Sequence, residues 1–136
     1  MMPIVTGWYD DDHRVIANNF SGEFTWEEIN TALIDLEVLA DSVDHGVVMF
    51  SDMRGCSMIP KGNAITPAKA SMKLLPGNII QIIIVVDSRL IEVFATMLFD
   101  MLPAWRNRVR FTRKYEEGLH FVEAAMISSS VNATRR

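Results

Sequence analysis

The 136-residue chain has a single cysteine, Cys56. One thiol cannot close an intramolecular disulfide, and no multi-cysteine zinc site can be built from it. Charge is sparse: 22% of the residues are Asp, Glu, Lys or Arg, and 17 acids against 13 bases give a formal net charge of −4. That balance offers no footprint for nucleic acid, which needs clustered Lys and Arg. Long apolar runs are missing too. The longest, Ile79 to Val86, contains Gln81, whereas a helical bilayer span needs about 20 apolar residues. Met1-Met2-Pro3-Ile4 lacks the charged and apolar regions of a secretory leader. Asn132-Ala133-Thr134 fits a glycosylation sequon without a secretory context. A cytoplasmic chain with no transmembrane segment is expected.

What is present suits one globular domain. Hydrophobic residues make up 49% of the chain, too many for a disordered one, and the length accommodates one core. No internal repeat, linker or low-complexity stretch divides it.

Hydrophobic periodicity sets out alternating elements. Ile4 to Tyr9 and His13 to Phe20 read as a hairpin around Asp10-Asp11-Asp12, because short carboxylates accept from nearby backbone in turns. Thr25-Trp26-Glu27-Glu28 has the spacing of a capping box. Behind it Ile29, Leu33, Leu36 and Leu39/Ala40 form one apolar helical stripe to about Ala40, with the acids largely outside it. Val47 to Phe50 has the length and character of a buried parallel strand, ended by Ser51-Asp52-Met53-Arg54-Gly55-Cys56. Thr66 and Pro67 read as the cap and first residue of a short helix ending near Leu75.

Ile79 to Val86 is the most apolar strand and is expected in the centre of the sheet. Ser88 is placed to cap a helix from Arg89 to Leu102. Val109 to Phe111 supplies a last strand, Tyr115 to Met126 a last helix, and 128–136 a polar, mobile tail. The expected architecture is a single α/β domain over 1–127. It opens with a β-hairpin, continues as (αβ)3α, and has a mostly parallel sheet flanked by about four helices, with one antiparallel edge and right-handed crossovers.

Trp8 with Phe20-Ser21-Gly22-Glu23-Phe24-Thr25-Trp26-Glu27-Glu28, then Phe50-Ser51-Asp52-Met53-Arg54, then Asn78 to Val86, resembles the STAS-type domains of anti-sigma-factor antagonists, with their SpoIIAA-like fold. The resemblance spans about residues 3 to 126. It implies a non-enzymatic, regulatory protein-interaction module of a bacterial type. The phosphorylatable antagonists carry Asp-Ser-(Ser/Thr)-Gly after the third strand. Here Gly55-Cys56-Ser57-Met58-Ile59-Pro60-Lys61-Gly62 stands in its place, and neither Ser57 nor Thr66 matches the switch serine. The resemblance therefore carries the fold and not the phospho-switch.

Ligands of open parallel sheets bind beyond the carboxyl ends of the strands. Asp52, Met53, Arg54, Cys56, Ser57, Met58, Ile59 and Lys61 after the third strand, and Asp87, Ser88 and Arg89 after the fourth, would share one edge. As a contact surface, this edge offers Met53, Met58 and Ile59 for apolar contact and Arg54 and Arg89 for orientation. The plainer reading has Asp52 and Arg54 pairing with neighbours and Ser88 merely starting a helix.

A catalytic thiol needs a base or a helix terminus to lower its pKa. His45 and His13 fall at the opposite end of the sheet from Cys56, and His120 lies in the last helix. No Cys-His pair is expected, the histidines share no ligand spacing, and neither catalytic residues nor a cofactor nor a metal is expected.

The helix Arg89 to Leu102 is apolar over more than one face: Leu90, Phe94, Met97, Leu98 and Met101 form a stripe that Ile91, Val93 and Leu102 widen. Three readings stay open: a helix covered on two sides, a patch for a protein partner or a homodimer, and the roof of an apolar cavity. The last would make the chain a small-molecule or lipid carrier, since lipid-carrier domains share the broader fold that the resemblance implies. Met49, Met53, Met58 and Met72, among nine methionines, fit adaptable packing or a plastic binding surface. Trp105-Arg106-Asn107-Arg108 with Arg110, Arg113 and Lys114 is the only dense basic stretch, either a solvated loop or a contact for an anionic membrane surface or acidic partner.

Overall fold

The chain, described by a computed structural model over residues 4–56 and 65–134, reverses first at the acidic turn. Asp10 Oδ1 accepts from the backbone N–H of Arg14 and of Val15, both at 3.0 Å. This joins β1 (Ile4–Trp8) to the antiparallel β2 (Val15–Ser21). From β2 onward every pairing is parallel, through β3 (Val47–Gly55), β4 (Ile79–Val85) and β5 (Val109–Thr112). The sheet order β1-β2-β3-β4-β5 follows the chain. β3 is thus the middle strand, and the most apolar strand, β4, sits between β3 and the β5 edge rather than at the centre.

Four helices complete the expected ββ(αβ)3α order: α1 (Trp26–Asp41), α2 (Ile65–Met72), α3 (Arg89–Asp100) and α4 (Tyr115–Thr134). The capping box forms as its spacing implies, with Glu28 N–H donating to Thr25 Oγ1 at 3.1 Å and Thr25 N–H donating to Glu28 Oε1 at 3.0 Å. Ser88 caps α3 by accepting from Ile91 N–H at 3.4 Å. Thr66 is not a cap. It lies inside the first turn of α2, which begins at Ile65.

Two further boundaries differ from expectation. β3 continues to Gly55 because its inside–outside alternation survives the polar residues. Ser51 and Met53 keep to the face of Met49, while Asp52 and Arg54 fall on the other, and Asp52 still pairs in register with Val85. α4 continues past Met126 to Thr134, into the stretch 128–136 expected as a tail. No Pro or Gly lies between Met126 and Thr134, and propagating a nucleated helix through Ser and Asn costs little per residue.

The sheet separates two cores. On one face Ile16, Leu33, Leu36, Val47, Ile79, Ile82, Ile84, Ile91 and Phe99 pack among α1, α2 and α3. On the other, Val15, Val48, Phe50, Ile83 and Val85 meet Val122 and Ala125 of α4. α4 lies close along β3, β4 and β5, whereas the close backbone neighbour of α3 is α2. Among the described residues no helix is long and apolar enough to cross a membrane.

Candidate functional site

The space left under α3 is a cavity of about 110 Å³, partly open to solvent. Its floor is the sheet face carrying Phe20, Met49, Ser51, Met53, Ile82 and Ile84. Phe24, just before α1, and Trp26 and Ile29 from its start form one wall, Met72 and Leu75 another, and Ile91, Phe94, Ala95, Leu98 and Phe99 of α3 the roof. The strand period of two explains the floor, because alternate residues of β3 and β4 point to one face. Three methionines line it, which supplies flexible, polarizable packing.

None of the lining side chains is charged, and two carry polar hydrogens: Trp26 and Ser51. Ser51, 2% exposed, ends a polar row laid across three strands. Thr6 Oγ1 donates to Asn18 Oδ1 at 2.8 Å, and Asn18 Nδ2 donates to Ser51 Oγ at 3.4 Å. Ser51 thus spends its hydrogen bonding within this row. Trp26 is the first residue of α1, and its indole leans on Phe94 of α3 at a centroid separation of 6.3 Å. Its Nε1–H is buried and has no hydrogen-bond partner. Burying a donor unpaired costs about 1–3 kcal/mol.

The edge expected from the sequence is brought together in part. Asp52, Arg54, Cys56 and Asp87 converge at the carboxyl ends of β3 and β4, close enough for both carboxylates to act on the thiol. The strand alternation nevertheless divides them. Met53 points into the cavity. Arg54, on the opposite face, forks onto Asp52 through Nε–Oδ1 at 2.9 Å and Nη2–Oδ2 at 2.8 Å and lies 4.9 Å over the Tyr115 ring. This fork holds the Asp52 carboxyl below its usual value, against an opposing contribution from burial. Ser88 serves as the α3 cap, and Asp87 and Arg89 are exposed beside it. Ser57, Met58, Ile59 and Lys61 lie outside the described residues.

Cys56 is 2% exposed and donates its S–H to the Met53 carbonyl oxygen at 3.1 Å. Burial, reinforced by the charges of Asp87 and Asp52, pushes its pKa up to about 11, the reverse of what a nucleophile needs. His13 stacks on Trp8 at 4.5 Å, and His45 Nδ1 lies 2.9 Å from the Gly46 carbonyl oxygen. Both precede strands that run parallel toward Cys56 and so lie at the far end of the sheet. Among the described residues no group of three or more His, Cys, Asp or Glu could hold a metal ion. In the basic stretch, Arg108 donates to the Ile79 carbonyl at 3.2 Å, Arg110 sits 4.1 Å over Phe121, and Arg113 pairs with Glu92 at 2.9 Å.

No family model, curated protein or solved structure matches the chain. The site therefore has to be read from its own chemistry. Trp26, Ser51 and Asn18 escape the strand-end reading of the sequence. The signal that finds two of them is polarity at inward positions: Asn18 shares its face with Ile16 and Phe20, and Ser51 with Met49 and Met53. Trp26 gives no such signal, since an indole after a cap reads as ordinary helix.

Proposed function

We propose that this chain is a non-enzymatic binding module whose ligand is a small apolar or amphipathic molecule held between the sheet and α3, the carrier reading of the sequence. The uncharged cavity of about 110 Å³, lined by aromatic, aliphatic and methionine side chains, carries this conclusion. A dry cavity of about 150 Å³ with comparable walls accepts benzene, so the space fits a single ring or a short branched chain. The element order and the antiparallel opening edge support the STAS-type, SpoIIAA-like reading of the fold.

The test is thermal denaturation with ethylbenzene as the probe. Saturation at ten times Kd adds about 1.4 kcal/mol of stability, a rise of a few degrees in Tm for a domain of this size. Ala95→Phe, which places a ring in the space, should abolish that rise. A melting temperature unmoved by ethylbenzene in the unsubstituted protein rejects the reading.

A second reading, the protein-interaction module that the resemblance implies, is favoured by the outer face of α3. Leu90, Val93, Met97 and Met101 recur there at helical spacing and are 59%, 48%, 48% and 43% exposed. A second copy laid across this stripe would form the self-complementary contact of a two-fold dimer. Sedimentation should then show a concentration-dependent dimer that Met97→Glu converts to monomer. A monomer at all concentrations removes this reading.

A further inference from the structure

The two edges of the sheet are opposite in charge. The sheet order follows the chain, so β1, with α1 packed on it, forms one end and β5 the other. Residues 4–41 hold nine acids and a single base, Arg14, whereas residues 101–115 hold five bases and no acid. Both edges are also open. Tyr9 N–H donates to the Val15 carbonyl oxygen at 2.8 Å. By antiparallel alternation Val5 and Gly7 then bond to β2, and Ile4, Thr6 and Trp8 turn their N–H and C=O groups outward. Val86 N–H donates to the Thr112 carbonyl oxygen at 2.9 Å, which by the same alternation turns those of Val109 and Phe111 outward. Among the described residues nothing pairs with either row. β1 has none of the devices that protect an edge, since no charge, proline or bulge interrupts Ile4–Trp8.

Like edges repel and unlike edges fit. A β1–β1 pairing would set two acidic α1 helices side by side, and a β5–β5 pairing two rows of arginines. An antiparallel pairing of β5 with β1 of a second copy matches charge, face and register together. The Asp10–Asp12 turn lies where β2 starts, and Arg106 and Arg108 lie where β5 starts. These are the same end of the sheet, because β2 to β5 run parallel. Opposing Phe111 to Thr6 and Val109 to Trp8 joins the outward groups and brings the acidic turn to Arg106 and Arg108. It keeps Val109 and Phe111 on the sheet face that Ile4 and Trp8 already share. On the other face, Arg110, which lies over Phe121, meets Gly7, where a Cβ would find nothing within 4 Å.

We infer that copies of this chain associate head to tail, the basic β5 edge of one adding to the acidic β1 edge of the next. Such a contact is heterologous, so assembly grows past the dimer into a ring or a fibre. The inference is independent of the cavity and uses a different surface from the outer stripe of α3.

The test is sedimentation of the full chain at about 0.01 M and about 1 M salt, where charges act over roughly 30 Å and 3 Å. At low salt the weight-average mass should rise with concentration past that of a dimer. At high salt the association should weaken about tenfold or more. Two double variants each reverse one edge: Arg106→Glu with Arg110→Glu, and Asp11→Lys with Asp12→Lys. Asp10 is kept because it holds the turn. Each variant alone should be monomeric, and an equimolar mixture should associate again, because each then presents the charge that the other lacks.

A monomer at every concentration in low salt overturns the inference. So does a mass that stops at the dimer and is lost in Met97→Glu, which assigns the contact to α3. Association that survives either double variant, or a mixture of two natively folded variants that stays monomeric, overturns it as well. The salt response is read on the unsubstituted protein, so the conclusion does not depend on either variant folding.

Discussion

Cys56 and Asp52 sit side by side at the end of β3 and titrate in opposite senses. The Cys56 thiol is driven from its ordinary 9.0 to about 11, first by burial and then by the carboxylates of Asp87 and Asp52. Two pH units correspond to a roughly 100-fold smaller thiolate population near pH 8. Iodoacetamide at that pH should therefore modify the native protein at least ~100-fold more slowly than the urea-unfolded chain, and comparable rates would contradict the buried placement. Because the folded pKa is raised, this contribution to stability is complete below pH 9 and is lost as pH rises through about 11. Asp52 behaves the other way. The Arg54 hydrogen bonds lower its folded pKa, so its contribution is present above the ordinary carboxylate range and is lost as pH falls through the lowered value. The pair is solvent-accessible, with Arg54 44% exposed, which limits it to about 1 kcal/mol or less. Asp52→Asn is expected to flatten the acid side of a Tm-versus-pH curve by no more than that. An unchanged acid limb would mean that the fork contributes nothing in solution.

Among the elements, α4 shows how a sequence preference and a packing requirement conflict. Gly118 lies in its first turns, where Ala is better by about 1 kcal/mol on helix propensity alone. A Cβ there would stand 2.9 Å from Phe50 Cε1 and 3.0 Å from Val85 Cγ2. The Phe50 ring has little room to yield, since Tyr115 and Tyr9 flank it at 5.3 and 6.1 Å. Overpacking of this kind costs about 1–3 kcal/mol, so Gly118→Ala should destabilise the protein by roughly 1 kcal/mol net, read as a lower denaturation midpoint at unchanged m. A gain in stability would show that α4 can move off the sheet freely. The same conflict explains what was legible in the sequence. The capping box at Thr25, the cap at Ser88 and the strand–helix alternation are local patterns, and each appears where its residues predict. The close approach at Gly118, the continuation of β3 beyond Phe50 and the extra turns of α4 are set by neighbours distant in the chain or by the absence of a stop. Local pattern does not report them.

Taken whole, the molecule is asymmetric about its sheet. On the α4 side a glycine admits the helix to close range of β3, β4 and β5. On the other side α3 presents Phe94, Leu98 and Phe99 inward, and these bulky groups border the cavity. A helix roofing unfilled space has fewer apolar contacts to lose on opening, and such elements occupy the low end of local stability. Sequence periodicity could place a cavity under 89–102 as one of three readings, because the apolar surplus of that helix is visible. It could not supply the floor and the wall beside it, since Ser51 and Trp26 reach the site only through the sheet order and the packing of α1. The asymmetry has a measurable consequence in native-state hydrogen exchange. Backbone amides at 93–99 of α3 are expected to exchange about tenfold or more faster than those at 119–125 of α4, with β3 and β4 slowest. Ethylbenzene should slow the α3 amides selectively by filling the space beneath them. Equal protection of the two helices, or a ligand effect spread evenly over the fold, would mean that the cavity leaves α3 no looser than α4 and that the two faces unfold as one unit.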